Sequence, residues 1–175
     1  MAKYFNVTGS GLAAAELTQE LLAAGDNISV NEISLSNVHK SKTCQIDLYI
    51  EKKLTGRFYL LKAVKLPIGT TLSVSTGGLS SATGEYGLYI KLTAAATFAL
   101  TGTIDPAASV TVPGSGTAFL TEITIGDEIV VSGETRIVSA IASDTSLTVT
   151  SAFTDNANDS TPDCNPVPTV DVILK

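Results

Sequence analysis

Residues 27–66, NISVNEISLSNVHKSKTCQIDLYIEKKLTGRFYLLKAVKL, alternate apolar and polar side chains over a longer span than any other part of the chain. Cys44, Ile46, Leu48 and Ile50 fall on one face, and Thr43, Gln45, Asp47, Tyr49 and Glu51 on the other. A period of two with β-branched and aromatic residues marks a half-buried strand. The run breaks at 52–56, where Gly56 can take the positive φ of a hairpin turn. Residues 57–64 resume as the return strand, which Pro67 and Gly69 end. Upstream, Ile28 and Val30 keep one phase and Ile33 and Leu35 the opposite one. That slip at Asn31-Glu32 predicts a β-bulge or a strand crossing between sheets.

The rest of the chain must supply partners for this block. Hydrophobic residues make up 44% of the 175 positions but aromatics only 6%, with no Trp, so small aliphatic residues do the packing. That suits a β-sandwich, and the length allows one large or two small domains. Charged residues are 16% of the chain, below the roughly 25% usual for soluble domains, which fits surfaces facing neighbouring subunits. Charge is also segregated. Residues 1–100 hold nine Lys/Arg against seven Asp/Glu, a net of +2; residues 101–175 hold two against ten, a net of −8. The acidic half would repel phosphate, which argues against a nucleic-acid partner for that half. The Ala-rich start is interrupted by Glu16 and Glu20 and is not expected to be a signal peptide, and no apolar run approaches the ~18 residues of a membrane span. Cys44 and Cys164 form no CxxC pair and are expected to be packed thiols.

Residues 12–24 are the one helix candidate, with Leu17 and Leu21 four apart, although Leu17, Leu21 and Leu22 also fit an irregular segment leading into a strand. Residues 70–75 read as a strand, 77–84 as a glycine-rich loop, and 85–92, EYGLYIKL, as another strand with Tyr86, Leu88, Ile90 and Leu92 on one face. About six strands separated by turns predict an antiparallel sandwich of jelly-roll type. From Phe98 the chain becomes acidic and rich in Thr, Ser and Gly. Strands are expected at 98–103, 109–112, 127–132, 135–141 and 146–150, forming a small barrel of about five strands. Residues 155–168 read as a linker, and 169–175 as a final strand needing an edge to pair with. The fold class predicted is therefore all-β: a jelly-roll-like antiparallel β-sandwich with a second small β-barrel domain inserted near the C-terminus. The sandwich comprises 1–96 plus 167–175 and the acidic insert 97–166, with the last strand returning beside 85–92.

No catalytic, cofactor-binding or metal residue is assigned. His39, the only histidine, sits in a lysine-bearing loop and is expected to face solvent or a partner rather than to act as a base. Asp155, Asn156, Asn158, Asp159 and Asp163 could donate oxygens to calcium, but Ala157 and the missing glycine break the EF-hand register, so this is read as a solvated linker. Pro113–Thr117 is glycine-rich, lacks the lysine of a phosphate loop, and reads as a turn. Asp127 and Glu128 are adjacent on a strand, face opposite ways, and cannot flank one substrate bond. His39, Lys40, Lys42, Lys52, Lys53 and Arg57 are the partner-contact candidates. They decorate turns of the central block and suit an acidic surface, including the acidic half of a neighbouring copy.

The phrases ISLSNVHKSKTCQIDLYI, FYLLKAVKLPIGTTLSV and VDVILK resemble small β-sandwich virion proteins of tailed bacteriophages. The segment Ser34–Val38, the strand 45–50, the Leu-Pro-x-Gly step at Leu66–Gly69 and the closing strand 170–174 carry the likeness. The stretch GSGTAFLTEITIGDEIVVSGETRIVSAIASDTSLTVTSAF resembles a small β-domain recurring in phage structural proteins. The resemblance implies a non-enzymatic, multi-copy decoration or adaptor protein on capsid, neck or tail, located in the virion after assembly in the host cytoplasm. Its partners would be other virion proteins and copies of itself, without cofactor, nucleic acid or membrane. A carbohydrate-binding or host-adhesion module is the alternative. It would need exposed aromatics for stacking on sugars.

Overall fold

Strand-forming alternation is realised along most of the chain in the computed structural model, which describes residues 2–9, 17–52, 55–93, 95–106, 108–154 and 162–175. Two compact units result: Met1–Ala94 together with Pro168–Lys175, and Ala95–Val167. The first unit contains β1 (Lys3–Thr8), β2 (Leu17–Leu22), β3 (Ser29–Asn37), β4 (Cys44–Lys52), β5 (Gly56–Leu66), β6 (Thr71–Ser80) and β7 (Tyr86–Thr93). Its eighth strand is the end of the chain, β15 (Thr169–Leu174), with seven strands of the second unit intervening in sequence.

These eight strands form two antiparallel sheets, β1-β15-β3-β6 and β2-β7-β4-β5. Counted within the unit, the first strand pairs with the eighth, the second with the seventh, the third with the sixth and the fourth with the fifth. That is one long hairpin rolled into two layers, the jelly-roll topology. Inward alternation fills the space between them with small aliphatics, including fully buried Ile33, Leu35, Ile46, Leu48, Ile90 and Val170. Each such side chain contributes about 1.5–3 kcal/mol relative to exposure.

The sequence expectation places the last strand beside 85–92. Instead β15 lies between β1 and β3, in the other sheet. The reason is topological: β7 is already flanked by β2 and β4, so it has no free edge. The phase slip in β3 is a bulge, with a register shift between Val30 and Glu32. The Asn31 and Glu32 amides both donate to the Lys175 carbonyl, at 2.6 and 3.1 Å, and Lys175 N donates back to Glu32 O at 2.9 Å. The end of the chain therefore satisfies the groups that the bulge displaces.

The helix expected over 12–24 is not formed where the structure describes it. Residues 17–22 are the edge strand β2, and 12–16 lie outside the described residues. A register shift between Glu20 and Leu22 puts both Leu21 and Leu22 into the core, so the leucine spacing imitates a helical period. Gly77 and Gly78, expected in a loop, belong to β6. Their φ values of 63° and 92° accommodate three residues opposite the single Asn31, where glycine alone takes such angles without strain.

The second unit holds β8 (Phe98–Ala99), β9 (Thr103–Ile104), β10 (Thr111–Ser115), α1 (Phe119–Glu122), β11 (Glu128–Val131), β12 (Glu134–Ser143), β13 (Ser146–Val149) and β14 (Asp163–Asn165). Their order is β8-β14-β11-β12-β13-β10-β9 around a core that includes Ile104, Phe119, Ile129 and Val138. The expected strands at 127–132, 135–141 and 146–150 are present, joined at Ser132-Gly133 by a two-residue turn with both φ values positive. Four expectations are corrected. The sheet is open-ended, with no pairing of β8 to β9 to close a barrel among the described residues. Gly102 (φ 80°) divides the strand expected at 98–103. The expected turn at 113–117 contributes Pro113–Ser115 to β10. Part of the expected linker is β14, whose Cys164 is buried opposite Ile129.

Candidate functional site

The hairpin of β4 and β5 presents an open edge with exposed apolar side chains. β5 is the outer strand of its sheet, so its far edge meets no other strand among the described residues. It runs for 11 residues, GRFYLLKAVKL, with three cations and no acid. Phe58, Tyr59 and Leu60 are 51%, 42% and 38% exposed. Three consecutive side chains can be exposed only where both faces of the strand are open, because neighbours point to opposite faces. Phe58 pairs with Ile50, which continues the inward-facing row of β4, so an apolar row runs out of the core to this surface.

Two register shifts break the β4–β5 ladder. At one of them Ala63 has φ 54°, a left-handed conformation disfavoured for a residue with a side chain. Asp47 holds it: Oδ1 accepts the Ala63 amide at 2.6 Å and Oδ2 accepts the Lys62 ammonium at 2.9 Å. Burial raises the Asp47 carboxyl pKa, but these bonds and the Lys62 and Lys91 charges outweigh it and hold the group below the ordinary aspartate value. The bulges and lysines restrict simple strand addition along the second half of β5. The first half, around Phe58–Leu60, is left accessible.

On the outer face, cross-strand register aligns Glu20, Tyr89, Tyr49 and Tyr59 in a row across all four strands. Tyr49 is fully buried between Tyr89, stacked at 5.7 Å, and Tyr59, tilted at 5.5 Å. Arg57 lies 4.8 Å over the Tyr49 ring and Lys62 4.3 Å over that of Tyr59. The guanidinium and ammonium thus occupy ring faces that a sugar would need. The row braces the hairpin.

The structure does not bring the six sequence candidates together. His39, Lys40 and Lys42 lie in the loop before β4; Lys52 and Arg57 lie at the hairpin beyond it. By strand rise these groups are about 26 Å apart. Lys53 lies outside the described residues. Lys52 is 3.5 Å from Glu85, and Arg57 is 3.0 Å from Glu51. His39 is corrected outright. It is 3% exposed, and its Nδ1 accepts the Ser41 and Lys42 amides at 3.2 and 3.0 Å, so it shapes the loop from inside. Period-two alternation carries no information on this, because loop burial depends on what covers the loop.

Beside it, buried Asn37 donates from Nδ2 to the carbonyls of Lys42 and Leu66, at 3.0 and 2.9 Å, and its Oδ1 accepts the His39 amide at 3.0 Å. Gly69 N donates to the Asn37 carbonyl at 3.2 Å. The Ser34–Val38 and Leu66–Gly69 phrases, far apart in sequence, therefore meet at one side chain. In the second unit, buried Asp127 accepts the Thr124 and Val167 amides at 2.8 and 2.7 Å, a structural use of a carboxylate. Among the described residues, no group of three His, Cys, Asp or Glu could hold a metal, and no helix is long and apolar enough to cross a membrane. Asp155, Asn156, Asn158 and Asp159 lie outside the described residues; Asp163 pairs within β14.

Sequence reasoning missed Phe58, Tyr59 and Leu60 as surface residues. The signal was present: the unbroken apolar run FYLL cannot be wholly inward on a strand of period two.

No protein-family model and no curated protein matches the chain. Among solved structures it is weakly similar to one of infectious bursal disease virus Gx strain, at 10% identity and TM-score 0.24, covering all of this chain and 32% of that one. A protein described as an α-L-fucosidase from Bacteroides ovatus ATCC 8483 matches at 12% identity and TM-score 0.29, over 93% of this chain and 34% of that one. The PBSX exported protein XepA matches at 8% identity and TM-score 0.30, over 99% and 86%. This chain thus spans about a third of the length of the first two. At such scores these likenesses assign neither family nor activity.

Proposed function

We propose that this chain is a non-enzymatic structural component of a virion of bacteriophage type. It acts as a multi-copy decoration or adaptor protein that binds other virion proteins and copies of itself on capsid, neck or tail. The observation that carries the reading is the open β5 edge with half-exposed Phe58, Tyr59 and Leu60, a surface suited to holding another protein. The convergence of the Ser34–Val38 and Leu66–Gly69 phrases on Asn37 adds support, since the segments that carry the phage resemblance form one structural joint. Fold alone does not specify the role. Many weak copies of one contact, each engaging such an edge, would add through avidity.

The test is mass spectrometry of particles purified by density gradient from the virus-producing source. The expected result is co-sedimentation of this chain with the particles in many copies per particle. Recovery only in the soluble fraction, with none on particles, would reject the role.

A further inference from the structure

β5 carries Arg57, Lys62 and Lys65 beside the exposed Phe58, Tyr59 and Leu60, with no acidic residue along its length. The second unit is its complement. Residues 95–167 contain nine Asp/Glu and a single cation, Arg136, which is itself paired with Glu134. Its surface also presents Leu120, Ile125 and Ile137 at 46%, 58% and 46% exposure, with Asp105 and Asp144 exposed as well. The β5 edge therefore offers an exposed cation beside apolar side chains, and the second unit offers exposed acids together with exposed apolar side chains. Arg57 and Lys62 are already paired with Glu51 and Asp47, and pairing two β5 edges about a two-fold axis would bring no acid to the exposed Lys65.

We propose that the β5 edge of one copy docks on the acidic unit of a second copy. This deepens the assembly role above and rests on it. The contact is heterologous, joining different surfaces of identical chains, so each added copy leaves one edge and one acidic unit open. Lateral growth then ends where the geometry closes or where another component caps the edge.

Sedimentation velocity on the full chain tests this. The mean mass should rise with concentration through the micromolar range in about 50 mM salt and fall back toward monomer in about 0.5 M salt, where screening is strong. Phe58→Ser/Lys65→Glu should weaken association at least tenfold, about 1.4 kcal/mol or more. That variant retains its acidic unit, so adding it to the unaltered chain should cap assemblies and lower their mean mass. Lys65→Glu alone, at an exposed position, should weaken association in the same direction and guards against misfolding of the double variant.

An unaltered chain that stays monomeric at every concentration overturns the proposal. So does an edge variant that associates as before or fails to cap. Salt-sensitive binding of a single-stranded oligonucleotide, lost in Lys65→Glu while the chain stays monomeric, would reassign the edge to nucleic acid. The particle measurement is independent. A chain found on particles yet monomeric alone keeps the virion role and loses this contact.

Discussion

Removing Thr169–Lys175 is expected to unfold the first unit rather than fray one end of it. β15 is interior to its sheet, paired with β1 on one side and β3 on the other. It buries Val170, Val172 and Leu174 to 0%, 1% and 1% exposure. At about 1.5–3 kcal/mol each, these side chains alone account for roughly 5–9 kcal/mol. A typical domain has only about 5–15 kcal/mol in total. The deletion also strands the bulge amides of Asn31 and Glu32, which converge on Lys175. Cys44 gives the readout. It is 2% exposed, and burial pushes its thiol pKa up to about 11, so it should be unreactive toward maleimide at neutral pH in the folded unit. In the truncated chain it should label rapidly without denaturant. A truncated chain with protected Cys44 and an unchanged unfolding midpoint would show that β15 is dispensable.

Asn37→Asp should have the next largest effect, although it changes one side-chain nitrogen to oxygen. The amide donates to two carbonyls from a position only 2% exposed. A carboxylate there turns two hydrogen bonds into oxygen–oxygen repulsions and buries a charge against two carbonyls. Unsatisfied buried groups cost about 1–3 kcal/mol each, and unpaired buried charges about 3–5 kcal/mol. The expected loss is about 3–5 kcal/mol, measured by urea unfolding at neutral pH. A loss below about 1 kcal/mol would mean that the Ser34–Val38 and Leu66–Gly69 segments hold together without this joint.

How legible was this in the residues themselves? The β4–β5 hairpin, the bulge in β3 and the inward row of β7 follow from period-two alternation, because each strand has one face on a common core. The place of β15 was not legible by the same means. Alternation says which face a strand buries, and only the full pairing scheme says which neighbours remain free. β2 was misread because a bulge brings adjacent leucines inward and imitates a helical stripe. The short strands β8, β9 and β14 are too brief to show a period. Of the candidate contacts, Lys40 and Lys42 lie in the loop before β4, Lys52 ends β4, and Lys53 lies outside the described residues. Sequence could not reveal that β4 separates them into two groups, or that His39 turns inward to accept two amides. The exposed Phe58–Leu60 run was readable, since a strand cannot bury every member of an unbroken apolar run between two layers.

The jelly roll should be complete without the acidic unit, closed by the last strand and carrying its own binding edge. Joining Ala94 to Pro168 through about six Gly/Ser residues tests this directly. Such a linker can reach ~20 Å, ample for crossing sheets packed ~10 Å apart. Urea unfolding of that chain, followed by maleimide labelling of Cys44, should give one cooperative transition, with the thiol protected until the midpoint. A thiol open in the absence of denaturant, with no cooperative transition, would contradict it.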